Sequence, residues 1–459
     1  MLALLLVYAV SLSISVFLAF VLVQALRTPP SDKTYHPLVS VRYHKKRTFS
    51  DIGNSLKMLM FGWEFPPHNS GGLGVACKGI VDGLTKEGTS ITFVLPKSVP
   101  QTSTVPFLSA GVESTTVIDS PLSPYLSTAS YATLPNGSPV YGSSLKEEVM
   151  RYAVSGGALA LTTPHDVIYA HDWLSFPAGI EAKRLSGKPL ITHVHATEFD
   201  RTGENRADPI IYEIEKAGLD ASDKVIAVSK RTKQTLIDKY QIPEEKISVV
   251  HNGIDEQTAP QGVSKGRWSA LKKQGHRIVL FMGRLTLQKG PDHFLEACAL
   301  LLKKHPQTTI VVAGGGDMEQ SLVEQAARLG ISAHVLFPGF LRGNDQYEAY
   351  KEADLFVMPS VSEPYGIAAL EAMHLQTPVL VSKQSGVVEA IPHIQSVDFW
   401  NHAEMALRME DILTHKDTAL IRAREAKQAL KSHTWQAKAK EIQAIALDLT
   451  KHPRLMAPH

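Results

Sequence analysis

From Lys57 onward, short apolar runs alternate with amphipathic stretches. Lys57–Gly62, Ile91–Pro96, Asp166–Ala170, Pro189–His195, Lys224–Val228 and Ile247–Val250 are almost continuously apolar and read as strands. Between them, Val75–Glu87, Leu145–Leu161, Phe176–Leu185, Pro209–Leu219 and Lys230–Tyr240 read as helices. Strands without a polar face belong to a parallel sheet covered on both sides. Strand–helix alternation predicts a doubly wound α/β domain. After a polar stretch, Glu256–Gln274, the pattern restarts with strands at Arg277–Met282, Thr309–Ala313, Val335–Phe337, Leu355–Met358 and Pro378–Val381. Helices around Thr418–Leu430 and Gln436–Leu449 follow the last strand. Two such domains in one chain leave a cleft between them, a preferred place for a ligand.

Two segments break the rhythm. Met1–Leu26 contains no Asp, Glu, Lys or Arg. As a helix it would be about 39 Å long, against a hydrocarbon core of about 30 Å. It reads as a transmembrane anchor. The competing reading is a cleaved signal peptide, with Val23-Gln24-Ala25 as the cleavage site, but the run is longer than a signal core and lacks a basic leader. Arg27, Lys33, Arg42, Lys45, Lys46, Arg47 and Lys57 all follow the span, so the positive-inside rule places the C-terminal bulk of a single-pass protein in the cytoplasm. Residues 27–55 then form a basic tether beside an anionic membrane surface. The second segment is Lys97–Leu145, where 23 of 49 residues are Ser, Thr or Pro. It reads as a long insertion with short strands, serving function or merely tolerated at the surface.

Composition adds limits. With 459 residues, 44% hydrophobic and 20% charged, the chain is an ordinary globular one. A net charge of +2 carries no nucleic-acid footprint. That small total hides a basic collar at residues 27–57, seven basic groups against Asp32 and Asp51. The only two cysteines, Cys77 and Cys298, lie on expected amphipathic helices and read as packing residues in a reducing compartment. Nineteen histidines are present, yet none shows zinc-site spacing with a third ligand, so no metal is expected.

Three strings carry candidate chemistry. Gly71-Gly72-Leu73-Gly74 lies between the first strand and its helix, where backbone N–H groups can approach an anion. Gly283-Arg284-Leu285-Thr286-Leu287-Gln288-Lys289-Gly290 puts two cations at a carboxyl strand end, the place where open α/β sheets bind ligands. In Ala353–Ala372 a buried strand runs into Ser360-Val361-Ser362-Glu363-Pro364-Tyr365-Gly366 and then a helix containing Glu371. The N–H groups of Gly366, Ile367 and Ala368 suit a diphosphate, Glu371 suits ribose hydroxyls, and Glu363 a sugar hydroxyl.

Together with Trp63-Glu64-Phe65-Pro66-Pro67, His171-Asp172-Trp173, His195-Ala196-Thr197-Glu198-Phe199 and His251-Asn252-Gly253-Ile254-Asp255, these strings make the chain resemble a retaining GT-B glycosyltransferase of family 4, on the glycogen and starch synthase side. The resemblance runs from Lys57 to the last helix. It implies an α/β GT-B fold of two Rossmann-like domains facing a cleft, 56–255 (insertion 97–145) and 276–432, joined by a linker at 256–275. A C-terminal helix, 433–450, would cross back to the first domain. The resemblance further implies that Arg284 and Lys289 stabilise the leaving nucleoside diphosphate. Glu371 would bind the ribose, and Glu363 the donor sugar. Gly72 and Gly74 would admit the donor phosphate, and His195 would contact the donor sugar or stabilise developing charge with its backbone carbonyl. Asp172 and Asn252 would bond donor or acceptor hydroxyls, although Asp172 also suits a helix cap and Asn252-Gly253 a turn. The co-substrate would be a UDP-, ADP- or GDP-hexose, glucose first, with a glycan acceptor and no cofactor or metal. Tyr365 stands where many bacterial glycogen synthases carry Cys, and the anchor is a second departure. Both leave room for a membrane-associated mannosyl or other hexosyl transferase building lipid-linked or surface glycan. An inactive sugar-binding module is a further alternative, and a GT-B relative doing epimerisation or phosphorolysis another, although no lysine stands in a context suited to a phosphorylase's pyridoxal phosphate.

Overall fold

The computed structural model describes residues 40–42, 55–65, 72–97, 114–119, 144–203, 207–255 and 266–451. The span expected at Met1–Leu26 lies outside these residues. Among the described residues, no helix is long and apolar enough to cross a membrane.

The first sheet has eight strands: β1 (Ser40–Arg42), β2 (Lys57–Phe61), β3 (Ser90–Lys97), β4 (Ser114–Asp119), β5 (Val167–His171), β6 (Leu190–Val194), β7 (Lys224–Ala227) and β8 (Ile247–Val249). Their order is β1-β4-β3-β2-β5-β6-β7-β8. Every neighbouring pair is parallel except β1 with β4. Part of the Lys97–Leu145 insertion is therefore sheet, because β4 extends β3 in register from Thr92↔Ser114 to Lys97↔Asp119. The central strands are mostly apolar because helices cover both faces, and every residue of β5 and β6 is buried, including Thr192 and the histidines His171 and His193.

The second sheet has six parallel strands: β9 (Arg277–Met282), β10 (Thr308–Ala313), β11 (Val335–Gly339), β12 (Leu355–Met358), β13 (Val379–Ser382) and β14 (Gln395–Val397), ordered β11-β10-β9-β12-β13-β14. Strand alternation divides its side chains between two cores. Val279, Phe281, Ile310, Val312, Leu355 and Val357 face one, and Ile278, Leu280, Val311, Phe356 and Met358 the other.

Three boundaries differ from those expected. The first helix spans Gly72–Lys86, so Gly72 and Gly74 lie in its first turn instead of in a loop before it. The helix expected from Phe176 begins at Asp172, directly after β5. Asp172 adopts φ 56°, which turns the chain from strand to helix without a loop. Ser175 Oγ then donates to the carbonyl of His171 at 2.6 Å. Finally, the stretch expected as a linker, 256–275, includes the helix Arg267–Lys273. Its Trp268 is buried in the second domain and its Lys272 pairs with Asp354. One aromatic side chain and one ion pair anchor a segment whose composition is otherwise polar.

The C-terminal helix Trp435–Lys451 returns to the first domain, placing Trp435, Ala439, Ile442 and Ala446 in its core. Its seat is cut by glycines. A Cβ on Gly79 would lie 2.2 Å from the Trp435 ring, and one on Gly253 would lie 2.5 Å from the Trp435 amide nitrogen. The domains are also joined nearer the cleft. Ser362 Oγ donates to Asp200 Oδ1 at 2.6 Å, and the Lys230 amide donates to Glu389 Oε1 at 2.7 Å.

Candidate active site

A cleft of about 410 Å³ opens between the carboxyl ends of the two sheets. Arg284, Lys289, Glu363, Gly366, Ile367, Ala368 and Glu371 border it from the second domain, and Gly72, Asp172, His195 and Asn252 from the first. Of the residues singled out in the sequence, only Gly74 is not on this lining. Its amide donates to Glu64 Oε2 at 3.2 Å inside the first turn of its helix, so it does not face a phosphate. Gly72 does face the cleft, and a Cβ there would approach Ile367 Cδ1 of the other domain at 3.9 Å.

On the second-domain side, β9 ends at Met282 and the chain turns through Leu287–Lys289. Lys289 Nζ donates to Glu363 Oε2 at 2.6 Å, and Ser360 Oγ donates to the same oxygen at 3.1 Å. Arg284 Nη2 donates to Gln288 Oε1 at 3.0 Å. A cation and a carboxylate thus stand in contact at the strand ends, with a second cation on the same turn. The helix Ile367–His374 begins beside them, with Gly366 at φ 113° as its N-cap. A side chain there would be strained and would meet Met358 Cε at 2.7 Å. The first N–H groups of that helix have no intrahelical acceptor and border the cleft.

Glu371 lies one turn into the helix. Tyr350 OH and Gln346 Nε2 donate to its Oε2 at 3.0 and 3.3 Å. Burial pushes its carboxyl up to about 7, and these two neutral donors only partly oppose the shift. Tyr350 and Gln346 are functional residues that sequence reasoning missed. They sit one turn apart on Asn344–Glu352, and only the folding of that helix beside Ile367–His374 gives the spacing meaning.

On the first-domain side, Asp172 Oδ1 accepts from the backbone amides of His195 at 2.7 Å and Ala196 at 3.4 Å. Asp172 therefore holds the 195–196 backbone and does not cap a helix near Ser175. Burial pushes its carboxyl up to about 7, opposed by Arg201 and those amides. His195 lies just past β6, and its Nε2 is 3.0 Å from His171 Nδ1. Burial lowers its imidazole to about 3, so it is neutral at physiological pH. Asn252 is buried at the cleft, next to the glycine that seats Trp435. Arg201 also reaches the cleft and was not anticipated. Its Nε donates to Glu198 Oε2 at 2.9 Å and its Nη1 to the Ala196 carbonyl at 3.3 Å, while Glu215 pairs with Nη2. The only sequence signal for it was its place just after His195–Phe199.

Two doubly wound domains with a cleft between their carboxyl strand ends, and phosphate-suited groups on one wall, make a site of the kind that takes a nucleotide-linked ligand. Comparisons with known proteins agree. Residues 70–258 match the model "Glycosyltransferase Family 4", and residues 264–429 match "Glycosyl transferases group 1". An uncharacterised glycosyltransferase of Methanocaldococcus jannaschii is 32% identical over 74% of this chain and 83% of its own length. The glycogen synthase of Mycobacterium tuberculosis is 28% identical over 88% of this chain and 97% of its own. Among solved structures, Anabaena HepE in complex with UDP and glucose superposes with TM-score 0.63 at 19% identity, over 86% of this chain and 99% of that one. The chain belongs to the family 4 glycosyltransferases of the GT-B fold, and it is glycogen and starch synthase-like. It is an enzyme of that class.

Proposed function

We propose that the chain moves a hexose, glucose first, from a nucleoside-diphosphate sugar to a glycan acceptor with retention of the anomeric configuration. Departure of the diphosphate leaves negative charge on phosphate and positive charge on the anomeric carbon. Arg284, Lys289 and the amides at the start of Ile367–His374 meet the first without a metal ion, as preorganised charges lining the cleft. Glu371 accepts from the ribose, and Glu363 accepts from a hydroxyl of the donor sugar. Neutral His195 stands at the sugar from the opposite wall, and Asp172 and Asn252 border the acceptor side. The leaving phosphate deprotonates the acceptor on the same face. The observation that carries this reading is the contact of Lys289, Ser360 and Glu363 beside Arg284 and the helix start.

The test incubates the protein with UDP-glucose, ADP-glucose and GDP-mannose, each with and without maltodextrin and with a chelator present, and assigns the product anomer by NMR. Transfer from a glucose donor with retention is expected. Transfer from GDP-mannose alone overturns the glucan reading, an inverted product overturns retention, and loss of transfer with chelator overturns metal independence.

A second reading, a lipid-linked or surface-glycan acceptor, is favoured by the uncharged run Met1–Leu26 and the basic residues behind it. It places the enzyme at the cytoplasmic face of a membrane. Recovery of the full chain in alkali-washed membranes, with its soluble part open to protease only from the cytoplasmic side, would bear it out.

A further inference from the structure

The proposed reaction leaves one nucleophile unused. Cys77 is fully buried on Gly72–Lys86, and burial, helped by Glu64 and Asp172, pushes its thiol well above the ordinary range. Its neighbours are the rings of His171, at the end of β5, and His195. One donor atom from each of the three lies within 4.8 Å of the others. The parallel register of β5 and β6 sets His171 beside His193, and the rings stack. The centroids of His193 and His195 are 4.1 Å apart, and those of His171 and His195 are 5.3 Å apart.

This group is polar, buried and unsatisfied. His171 Nε2, His193 Nε2 and His195 Nδ1 are all buried without a hydrogen-bond partner. An unpaired buried polar group costs about 1–3 kcal/mol. The two nitrogens that face each other inside the cluster are the other ones, His171 Nδ1 and His195 Nε2, which bond to each other. A neutral imidazole keeps one lone pair with which to hold a metal ion. Nδ1 of His171 and Nε2 of His195 are 3.0 Å apart. Two nitrogens on one tetrahedral zinc ion lie about 3.3 Å apart.

We propose that Cys77, His171 and His195 form a binding site for a zinc-class ion directly behind the donor cleft. A thiolate with two imidazoles selects borderline-soft ions over magnesium or calcium. The negative field of Glu64 and Asp172, which already acts on the Cys77 thiol, favours a cation. His195 borders the cleft, which gives the ion its way in and leaves a fourth position for water. On binding, the Sγ–H bond of Cys77 breaks, a sulfur–metal bond forms, and the proton goes to solvent. The hydrogen bond between His171 Nδ1 and His195 Nε2 is exchanged for two nitrogen–metal bonds, and the ring that donated it shifts its proton to its other nitrogen. No electron moves. Because the ion takes hold of His195, it slows sugar transfer. That last consequence rests on the role given to His195 above, whereas the site itself does not.

The experiment uses the full chain, stripped with chelator, and titrates it with cobalt(II) as a spectroscopic stand-in for zinc. A thiolate-to-cobalt band in the near ultraviolet, with the visible bands of four-coordinate cobalt, is expected to saturate at one equivalent. It should disappear on adding zinc, be absent from Cys77→Ala and survive in Cys298→Ala. X-ray absorption on the zinc-loaded wild type needs no variant and should count one sulfur at about 2.3 Å with nitrogens at about 2.0 Å. No saturable band, a band intact in Cys77→Ala, or a zinc shell without sulfur overturns the site. In parallel, zinc should lower transfer by the wild type and leave Cys77→Ala unaffected. Metal binding without loss of transfer overturns the link to His195 and leaves the sugar-transfer reading intact, since that reading is tested without zinc.

Discussion

Glu371 offers a quantitative test of the donor site. The carboxyl titrates near 7 because it is buried and its donors, Tyr350 and Gln346, are neutral. A ribose that donates two hydroxyls needs the ionised form. At pH 8 about nine-tenths of the protein has Glu371 ionised, and at pH 6 about one-tenth, so donor affinity should fall about tenfold between them, or about 1.4 kcal/mol. The measurement is isothermal titration calorimetry with UDP-glucose or ADP-glucose, whichever the chain binds, from pH 5.5 to 8.5. The sugar nucleotide is the right probe because its esterified diphosphate does not titrate in this window. Glu371→Gln should bind more weakly at pH 8 and show a flat profile. The same shift acts on stability with a definite sign. The native pKa is raised, so the ionised carboxylate burdens the fold above pH 7 and the burden is gone below about 4.5, where both states are protonated. Glu371→Gln should therefore be more stable than the wild type at pH 8 and equal to it at pH 4. A wild-type affinity that is flat from pH 6 to 8, or a Glu371→Gln protein with the same slope, would refute both the burial argument and the ribose assignment.

Three further outcomes are expected. Lys289→Ala removes a charge from the leaving group and strips Glu363 of its partner, so kcat should fall by about 10²–10³-fold; full transfer activity would end the proposed role. Gly79→Ala sets helix propensity against packing. Alanine is better by about 1 kcal/mol in a helix, but its Cβ would meet the Trp435 ring at 2.2 Å. The net effect should be a loss of about 1–3 kcal/mol in denaturant unfolding and faster proteolysis of the C-terminal helix. Ser362→Ala deletes the buried donor to Asp200 across the domains, a bond to a charged group worth about 1.5–3 kcal/mol. Small-angle scattering should show a larger radius of gyration for the free protein, and the donor KM should rise.

Much of the fold was legible because its determinants are local. A strand buried on both faces is mostly apolar, so β2, β5, β6 and β9 appear in the sequence close to their observed limits. Arg284 with Lys289, and Glu363 with Glu371, were legible for the same reason, since each pair lies within one loop or one loop and its helix. The boundaries that shifted did so through single-residue conformations. Asp172 starts a helix with φ 56°, and no pattern of hydrophobicity encodes that. The helix Arg267–Lys273 was hidden because one tryptophan holds it. Gly74 was misread because a glycine-rich string looks the same in a loop and in the first turn of a helix.

What escaped the sequence altogether is contact between elements. Glu371 accepts from Tyr350 and Gln346, which reach it from a helix on the far side of β12 in the chain. Arg201 joins the cleft through a fold of the chain after His195. The histidine stack shows the principle most sharply. Zinc spacing in a sequence describes ligands a few residues apart on one turn or helix. Here His171 and His195 stand 24 residues apart because a whole crossover helix lies between two parallel strands. The register Ala170↔Thr192 and His171↔His193 then brings the strand ends together. Cys77 joins from a helix that begins after β2, the strand next to β5. In a parallel sheet, therefore, ligand spacing is the length of a crossover, and a search for short spacings passes over such a site.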